Sequence, residues 1–266
     1  MSFRLVVSDL DGTLLTPEHR VGGYTRHVLR GLRDQGVALA IASGRHFEDV
    51  RAVSKQFGSD VCTISSNGAA VYGGDGEILD MTALEPDCLE FLLGDPAFSS
   101  VHTNLFCSTE WLVERPEPEL LVYHAESGFA YRVIDFSELG GEPVLKVFFY
   151  GEHQALAELE GTIVEHCAGQ VITTFSLPVT LEVMASGVSK GAALERVCER
   201  KGLDLSEVIA FGDGMNDLEM LRTAGSGLLM GNAVSQLKNA LPGHPVIGRN
   251  DDEAVARYLE ELYRDT

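Results

Sequence analysis

Basic residues and cysteines are scarce in this 266-residue chain, and long apolar runs are absent. Lysine and arginine total 20 against 40 acidic residues, and the net charge of −20 disfavours nucleic acids and anionic membranes as partners. The five cysteines include no Cys-x-x-Cys pair, which indicates buried thiols in a reducing compartment. No apolar stretch approaches the roughly 20 residues of a membrane span, and Asp9 comes too early for a signal peptide. We therefore expect a cytoplasmic protein that does not enter a membrane.

Several common catalytic signatures are missing as well. The eight histidines include no His-Glu-x-x-His pattern, which argues against zinc chemistry. There is no Walker A sequence and no dinucleotide-binding fingerprint, and the Gly-x-Ser-x-Gly turn of many hydrolases is absent. These absences turn attention to the acidic residues of the chain.

The first third of the chain alternates between strand and helix patterns, as chains that form parallel sheets do. Strands are predicted in LVVSDL, VALAIAS and VCTISSNGAAV, and AVYGGDGEILDM is predicted to form a hairpin. From about Ala83 helices and strands interleave differently, and the first pattern resumes between Ala185 and Ser189. This order predicts an α/β fold, a doubly wound, Rossmann-like and mostly parallel sheet from residues 1–82 and 187–266. An α+β domain is inserted at residues 83–186.

The first chemical motif is the run from Asp9 to Thr13, DLDGT, at the end of the first predicted strand. Side chains in a strand alternate faces, so Asp9 and Asp11 point the same way, and Gly12 permits a sharp turn. Ligands of open α/β sheets bind at this end of the strands. The pair suits a hard cation or a nucleophile beside a proton donor, although two acids that merely cap a turn would look the same.

Two further motifs could bind an anion. Ser43 and Gly44 follow the strand VALAIAS and offer a hydroxyl and backbone amides, although Ser-Gly after a strand is often only a turn. Lys190 opens the helix SKGAALERV behind Ser189, a predicted N-cap. A cation there opposes the helix dipole, so we expect a negative group nearby, unless Lys190 is simply solvated.

The last motif is the segment GDGMND, which follows the apolar strand EVIAFG. Asp213 ends this strand as Asp9 ends the first, and Asp213 and Asp217 are four residues apart at a helix start. Two carboxylate clusters at strand ends of one sheet indicate a shared Mg²⁺ site, with helix capping by the aspartates as the alternative.

In this order, DLDGT, SGR, Lys190 and GDGMND resemble the motifs of the haloacid dehalogenase superfamily of phosphatases. The segments SNGA (Ser66–Ala69) and MGNA resemble its Cof-type branch, in which a cap domain is inserted between the second and third motifs. The middle of the chain also resembles the subgroup that acts on pyridoxal phosphate and sugar phosphates. Trp111 and the residues around Glu182 are then candidate cap contacts, with core packing preferred for Trp111.

The resemblance implies a role for each motif. Asp9 is the nucleophile that forms an aspartyl-phosphate, and Asp11 is the acid and base, protonated near neutral pH because of its anionic neighbour. Mg²⁺ is held by Asp9, the backbone carbonyl of Asp11 and Asp213, and Asp217 supports the ion without binding it directly. Catalysis also requires Lys190, and the phosphate is bound by Leu10, Ser43, Gly44, Lys190 and Asn216.

The implied activity is Mg²⁺-dependent hydrolysis of small phosphorylated metabolites, with pyridoxal phosphate and sugar phosphates as candidate substrates. A phosphomutase that moves phosphate within a sugar through the same aspartyl-phosphate is the main alternative. A receiver-like signalling module is a third reading, but receivers are shorter and lack a capped DLDGT motif. We expect a small phosphorylated metabolite as the only partner, and a monomer or weak homodimer.

Overall fold

The structure is a computed structural model that describes residues 3–264. The chain forms two compact units. The first contains the described parts of Met1–Arg45, Val50–Asp80 and Ser189–Thr266, and the second contains His46–Asp49 and Met81–Val188. No helix among the described residues combines the length and apolar character that crossing a membrane requires.

A seven-stranded sheet forms the centre of the first unit. Its strands are β1 (Leu5–Ser8), β2 (Ala38–Ala42), β3 (Cys62–Ser65), β4 (Ala70–Tyr72), β5 (Ile78–Met81), β12 (Val208–Gly212) and β13 (Ser226–Leu229). They lie in the order β13-β12-β1-β2-β3-β4-β5, with parallel pairing from β13 to β3 and antiparallel pairing of β3 with β4. This sheet is therefore mostly parallel, as predicted.

The central strands are buried on both faces, which explains their continuous apolar runs. Leu5, Val7, Ile209 and Phe211 have no exposed surface. The helices of this unit are α1 (Gly23–Asp34), α5 (Lys190–Lys201), α6 (Leu218–Thr223), α7 (Ser235–Ala240) and α8 (Ala254–Tyr263), and α2 (Phe47–Ser54) begins in the second unit. Ser189 caps α5 as predicted, because its hydroxyl accepts a hydrogen bond from the amide of Ala192 at 3.0 Å.

The second unit contains a six-stranded sheet. Its strands are β6 (His102–Phe106), β7 (Trp111–Val113), β8 (Arg132–Val133), β9 (Lys146–Tyr150), β10 (Val171–Leu177) and β11 (Thr180–Ala185), in the order β10-β11-β9-β6-β7-β8. Only β7 and β8 pair in parallel. The helices α3 (Pro86–Gly94) and α4 (His153–His166) complete the unit. It has its own apolar core, which includes Leu105, Phe149, Leu156 and Leu181.

The two residues proposed as cap contacts are both buried in this second unit. Trp111 is 1% exposed and donates a hydrogen bond to Oδ1 of Asn104 at 3.1 Å, so the preferred core-packing role is confirmed. Glu182 accepts a hydrogen bond from Nζ of Lys146 at 2.9 Å, and both side chains are buried. The Lys146 ammonium also lies 4.8 Å from the ring centre of Phe106.

A short segment next to the second motif also belongs to this unit. Asp49 accepts hydrogen bonds from Ser127 Oγ at 2.5 Å and pairs with Nδ1 of His124 at 2.7 Å. His46 is stacked on Phe129 with a ring separation of 4.2 Å. Residues 46–49 are therefore held by the 118–131 region of the second unit.

Two sequence expectations about local structure have clear outcomes. All five cysteines are buried and none forms a disulfide, as predicted. The run VCTISSNGAAV is not one strand, because β3 ends at Ser65 and the chain turns through Ser66–Gly68 before β4. The hairpin from β4 to β5 is confirmed.

Candidate active site

Three neighbouring strands bring the sequence motifs to one edge of the first sheet. β1 lies between β12 and β2, and all three run in parallel. Asp9, Ser43 and Asp213 are the residues that directly follow these strands. Because carboxyl ends of parallel strands share an edge, motifs about 200 positions apart in sequence meet there.

A tight turn after β1 presents the first motif. The amide of Leu15 donates to the carbonyl of Leu10 at 2.9 Å and closes a turn over Leu10–Leu14, in which Asp11 and Gly12 are not helical and Gly12 has φ +75°. A Cβ atom at Gly12 would lie 2.3 Å from Oδ2 of Asp213, so only glycine fits there. The hydroxyl of Thr13 donates a hydrogen bond to Oδ1 of Asp213 at 2.8 Å. The DLDGT turn therefore orients the carboxylate at the end of β12.

Lys190 lies between two of the acids. It has no exposed surface, and its Nζ donates hydrogen bonds to Oδ1 of Asp9 at 2.6 Å and to Oδ1 of Asp217 at 2.7 Å. Burial alone would lower the pKa of Lys190, but the charges of Asp217 and Asp9 outweigh it and raise the pKa above its ordinary value. The lysine is therefore a permanent cation, and the negative group expected near it is present.

Asp217 is fully engaged by the protein. Its Oδ2 accepts hydrogen bonds from the amides of Asp213 and Gly214, both at 2.9 Å, while Oδ1 accepts from Lys190. Its side chain has no exposed surface. Such a carboxylate holds neighbouring groups in place more readily than it binds a ligand, which fits the supporting role implied by the resemblance.

Burial disfavours the ionised forms of Asp9 and Asp213. Burial raises the pKa of Asp9 well above its ordinary value; Lys190 opposes this shift, and Asp217, Asp213 and Asp11 add to it. Burial also raises the pKa of Asp213 to about 6, against the hydrogen bond from Thr13. Both carboxyl groups are therefore harder to ionise than a free aspartic acid, because they are buried next to other acids.

One prediction about the site is wrong in this structure. Asp11 was expected to stay protonated near neutral pH, but Nε and Nη2 of Arg45 donate to its two carboxylate oxygens at 2.7 and 2.5 Å. Burial would raise the pKa of Asp11, but the hydrogen bonds and charge of Arg45, together with His19, lower it below its ordinary value. A bidentate cation therefore overrides the effect of the anionic neighbour, and Asp11 is ionised.

The predicted phosphate-binding residues come from four segments. Leu10 is buried in the turn after β1, Ser43 is buried directly after β2, and Gly44 follows Ser43. Lys190 begins α5, and Asn216 is exposed on the turn that precedes α6. The hydroxyl of Ser43 accepts a hydrogen bond from the amide of Arg45 at 3.1 Å, which shapes the loop after β2.

Two asparagines near these residues lie in the segments SNGA and MGNA, for which the resemblance implied no role in the site. Nδ2 of Asn216 donates to Oδ1 of Asn67, in SNGA, at 3.0 Å. Nδ2 of Asn232, in MGNA, donates to the carbonyl of Gly12 at 2.7 Å. The two sequence segments therefore contain these asparagines, but the sequence does not show the hydrogen bonds that connect them to the site.

The acids also satisfy a geometric requirement for a metal ion. One oxygen from each of Asp9, Asp213 and Asp217 can be chosen so that all three lie within 4.8 Å of one another. Mg²⁺ prefers oxygen ligands of this kind, and its charge would favour the ionised forms of Asp9 and Asp213. The residues present therefore fit the ion.

Comparison with known proteins agrees with the geometry. A family model described as haloacid dehalogenase-like hydrolase matches residues 6–259. The HMP-PP phosphatase of Cronobacter sakazakii is 39% identical over 256 residues, which is 96% of this chain and 94% of that protein.

Solved structures give the same result. A haloacid dehalogenase-like hydrolase from Bacteroides thetaiotaomicron has a TM-score of 0.88 at 27% identity, covering 98% of this chain and 100% of that one. A protein from Thermotoga maritima has a TM-score of 0.85 at 28% identity, covering 97% of each chain. The chain therefore belongs to the haloacid dehalogenase-like hydrolases, as its four motifs predicted, and is a phosphatase of the Cof type. The predicted α/β class is confirmed by the same structures.

Proposed function

We propose that this protein hydrolyses small phosphorylated metabolites with Mg²⁺, through an aspartyl-phosphate formed on the carboxylate of Asp9. The observation that supports this most directly is the bridge from Lys190 to Asp9 and Asp217 beside Asp213. A carboxylate that attacks a phosphate dianion meets like charge, and a buried lysine together with a metal offsets it. HMP-PP is the first substrate to test, because the Cronobacter relative is named for it.

The reaction divides into two steps. In the first, a carboxylate oxygen of Asp9 bonds to phosphorus as the bond to the leaving oxygen breaks, and that oxygen takes a proton from Asp11. In the second, Asp11 takes a proton from the water that attacks phosphorus, and Asp9 is released. The first step therefore requires that Asp11 first take up a proton and release Arg45, whereas the ionised form paired with Arg45 in the structure is the one that the second step requires.

The metal would be held by Asp9, Asp213 and the main-chain carbonyl of Asp11. Asp217 would support this site because its carboxylate accepts a hydrogen bond from the amide of Asp213. Mg²⁺ would supply positive charge to the phosphate oxygens. The phosphate would be bound by the Leu10 amide, Ser43, the Gly44 amide, Lys190 and Asn216. Residues 83–186 would act as the cap that selects the leaving group.

Asp9→Asn tests the nucleophile. We expect turnover of HMP-PP to fall by about 10⁴-fold or more, because asparagine has no carboxylate oxygen to form the aspartyl-phosphate, while the melting temperature stays close to that of the wild type. Asp34→Asn is the control, since it removes one carboxylate from an exposed position on α1. Near-normal phosphate release from Asp9→Asn would refute the assignment.

A panel of candidate substrates, assayed with and without Mg²⁺, tests the substrate and the requirement for the metal. HMP-PP, pyridoxal phosphate and sugar phosphates are each assayed for inorganic phosphate in Mg²⁺, in EDTA and after Mg²⁺ is restored. We expect release only with Mg²⁺, and we expect Mg²⁺ to raise the melting temperature of the wild type but not of Asp213→Asn. Full activity in EDTA would reject the metal. Transfer of phosphate to another position of the same sugar, without release, would identify a phosphomutase.

A further inference from the structure

The turn between β3 and β4 has an unusual backbone. Ser66, Asn67 and Gly68 have φ values of +48°, +56° and +104° in succession. Left-handed conformations are costly for residues with a side chain, although asparagine tolerates them better than most. The hydroxyls of Ser65 and Ser66 are also buried and have no hydrogen-bond partner among the described residues. A turn with these costs is retained only where its surroundings require it, which directs attention to what it contacts.

The backbone of this turn is bonded to the second motif. The amide of Ser66 donates to the carbonyl of Arg45, and the amide of Asn67 donates to the carbonyl of Ser43, both at 3.0 Å. These two carbonyls lie on either side of Gly44, the proposed phosphate-binding amide. The turn therefore holds the loop after β2 from both ends.

The same turn contacts the start of α5. A Cβ atom at Gly68 would lie 2.2 Å from the carbonyl oxygen of Ser189 and 3.1 Å from the amide nitrogen of Lys190. Nη2 of Arg196, from the second turn of the helix, donates to the carbonyl of Gly68 at 3.0 Å. The helix that carries Lys190 is thus packed directly against this turn.

The side chain of Asn67 completes the connection. Its Oδ1 accepts a hydrogen bond from Nδ2 of Asn216 at 3.0 Å, and a Cβ atom at Gly44 would lie 2.8 Å from the same oxygen. Asn67 is only 6% exposed, whereas Asn216 is exposed on a three-residue turn. The bond therefore restrains a side chain that would otherwise rotate freely in water.

We propose that Asn67 is a positioning residue for the phosphate: its amide fixes Asn216 relative to Gly44, so that groups from two separate segments act on one ligand. The assignment rests on the proposed function, in which Gly44 and Asn216 bind phosphate. Groups held in register before the ligand arrives lose less freedom when it binds, and a misplacement of about 1 Å can cost as much as 100-fold in rate.

Asn67→Gly tests this, because glycine accepts the left-handed backbone and removes only the amide. The dissociation constant of inorganic phosphate is measured by calorimetry with Mg²⁺ present, together with kcat and KM. We expect the dissociation constant to rise by about tenfold or more. The control is Val28→Ala, which removes buried methyl groups from α1, away from the turn. It should lose thermal stability but bind phosphate as the wild type does; unchanged phosphate binding in Asn67→Gly overturns the proposal.

A double-mutant cycle with Asn216→Ala separates positioning from a general structural effect. If Asn67 acts through Asn216, the double variant binds phosphate about as weakly as the worse single variant. Effects that multiply in the double variant show that the two residues act independently, which also overturns the proposal.

Gly44→Ala provides a second route that leaves residue 67 in place. The added methyl group should displace the Asn67 amide and weaken phosphate binding, and the same change in the Asn67→Gly background should have a much smaller effect. An equal effect in both backgrounds contradicts the contact. The proposed function fails separately, and visibly, if the wild type itself neither binds phosphate nor releases it from any ester.

Discussion

At the scale of single residues, the site is organised around a lysine without access to water. Lys190 has two carboxylate partners, and one of them, Asp217, also has no exposed side-chain surface. Such a group costs desolvation energy that its partners must offset. Removal of the lysine alone would therefore leave two buried carboxylates without their counter-charge.

Lys190→Met should lower both stability and activity. Removing the cation leaves Asp9 and Asp217 buried without a counter-charge, so we expect the free energy of unfolding to fall by about 3–5 kcal/mol. Phosphate release should fall to background. The measurements are urea unfolding and a phosphate assay. Lys201→Met, at the exposed end of the same helix, is the control and should change neither. An Lys190→Met variant as stable as the wild type would contradict the role of the ion pairs.

Gly12→Ala isolates the close approach at the DLDGT turn. Gly12 and Gly36 both have left-handed backbones, with φ of +75° and +89°, but only Gly12 has an atom within 4 Å of an added Cβ. Both substitutions should cost about 1 kcal/mol through the backbone. Only Gly12→Ala should also displace Asp213 and reduce phosphate release by about 100-fold or more. Equal activity in the two variants would show that the contact with Asp213 is unimportant.

At the scale of secondary structure, the sequence was most informative where an element is buried. The strands that carry the motifs are apolar throughout, and α1 buries Val28, Leu29 and Leu32 at helical spacing, so their patterns are unambiguous. The run VCTISSNGAAV misled because its residues are buried on both sides of the turn. Hydrophobic periodicity indicates which residues are buried, but it does not indicate that Ser66 and Asn67 have a left-handed backbone.

In the candidate site, too, some features could be predicted from local sequence and others could not. The positions of Asp9, Ser43 and Asp213 follow from strand ends, which local sequence reveals. The pairing of Arg45 with Asp11 does not, because it joins side chains 34 positions apart. The error about the protonation of Asp11 came from counting its acidic neighbours without that arginine.

The start of α2 gives the protein a dependence on pH. His46, which directly precedes α2, is buried. Its Nε2 lies 3.0 Å from the carbonyl oxygen of Cys107, and its Nδ1 accepts a hydrogen bond from the amide of Glu48 at 3.2 Å. Both nitrogens of the neutral ring therefore have a hydrogen-bond partner. Burial lowers the pKa of His46 to about 4. Protonation would put a second hydrogen where the Glu48 amide already points.

Stability should therefore fall in mild acid. The pKa of His46 is about 6.5 in the unfolded chain and about 4 in the folded chain. The neutral ring of His46 therefore contributes its full share of the folding free energy above pH 6.5, and this share is lost as the pH falls to 4. The loss should reach about 3 kcal/mol. Urea unfolding at several pH values, compared with His46→Gln, measures it. Parallel curves for the two proteins would contradict the prediction.

At the scale of the whole molecule, charge is the dominant property. A net charge of −20 repels the anionic substrates that the site is proposed to bind. The local cations that counter this, such as Lys190 and the proposed Mg²⁺, act mainly at short range. Encounter with the substrate should therefore be limited by the field of the distant surface.

Salt should consequently improve substrate capture. The screening length falls from about 30 Å at 0.01 M to about 8 Å at 0.15 M ionic strength, which removes long-range repulsion before it weakens buried contacts. We expect KM for HMP-PP to fall as KCl is added over this range at constant free Mg²⁺, with an unchanged melting curve as the control. A KM that rises steadily with KCl would mean that local attraction outweighs the surface charge.

The segment His46–Asp49 has a practical consequence for protein engineering. It lies outside the continuous stretch Met81–Val188, yet it supplies partners to His124, Ser127 and Phe129 within the second unit. A chimaera that imports residues 81–188 from a relative would break these contacts at the graft. A domain exchange intended to change substrate choice should therefore replace His46–Asp49 together with Met81–Val188. The unit that can be exchanged in this chain is discontinuous in sequence.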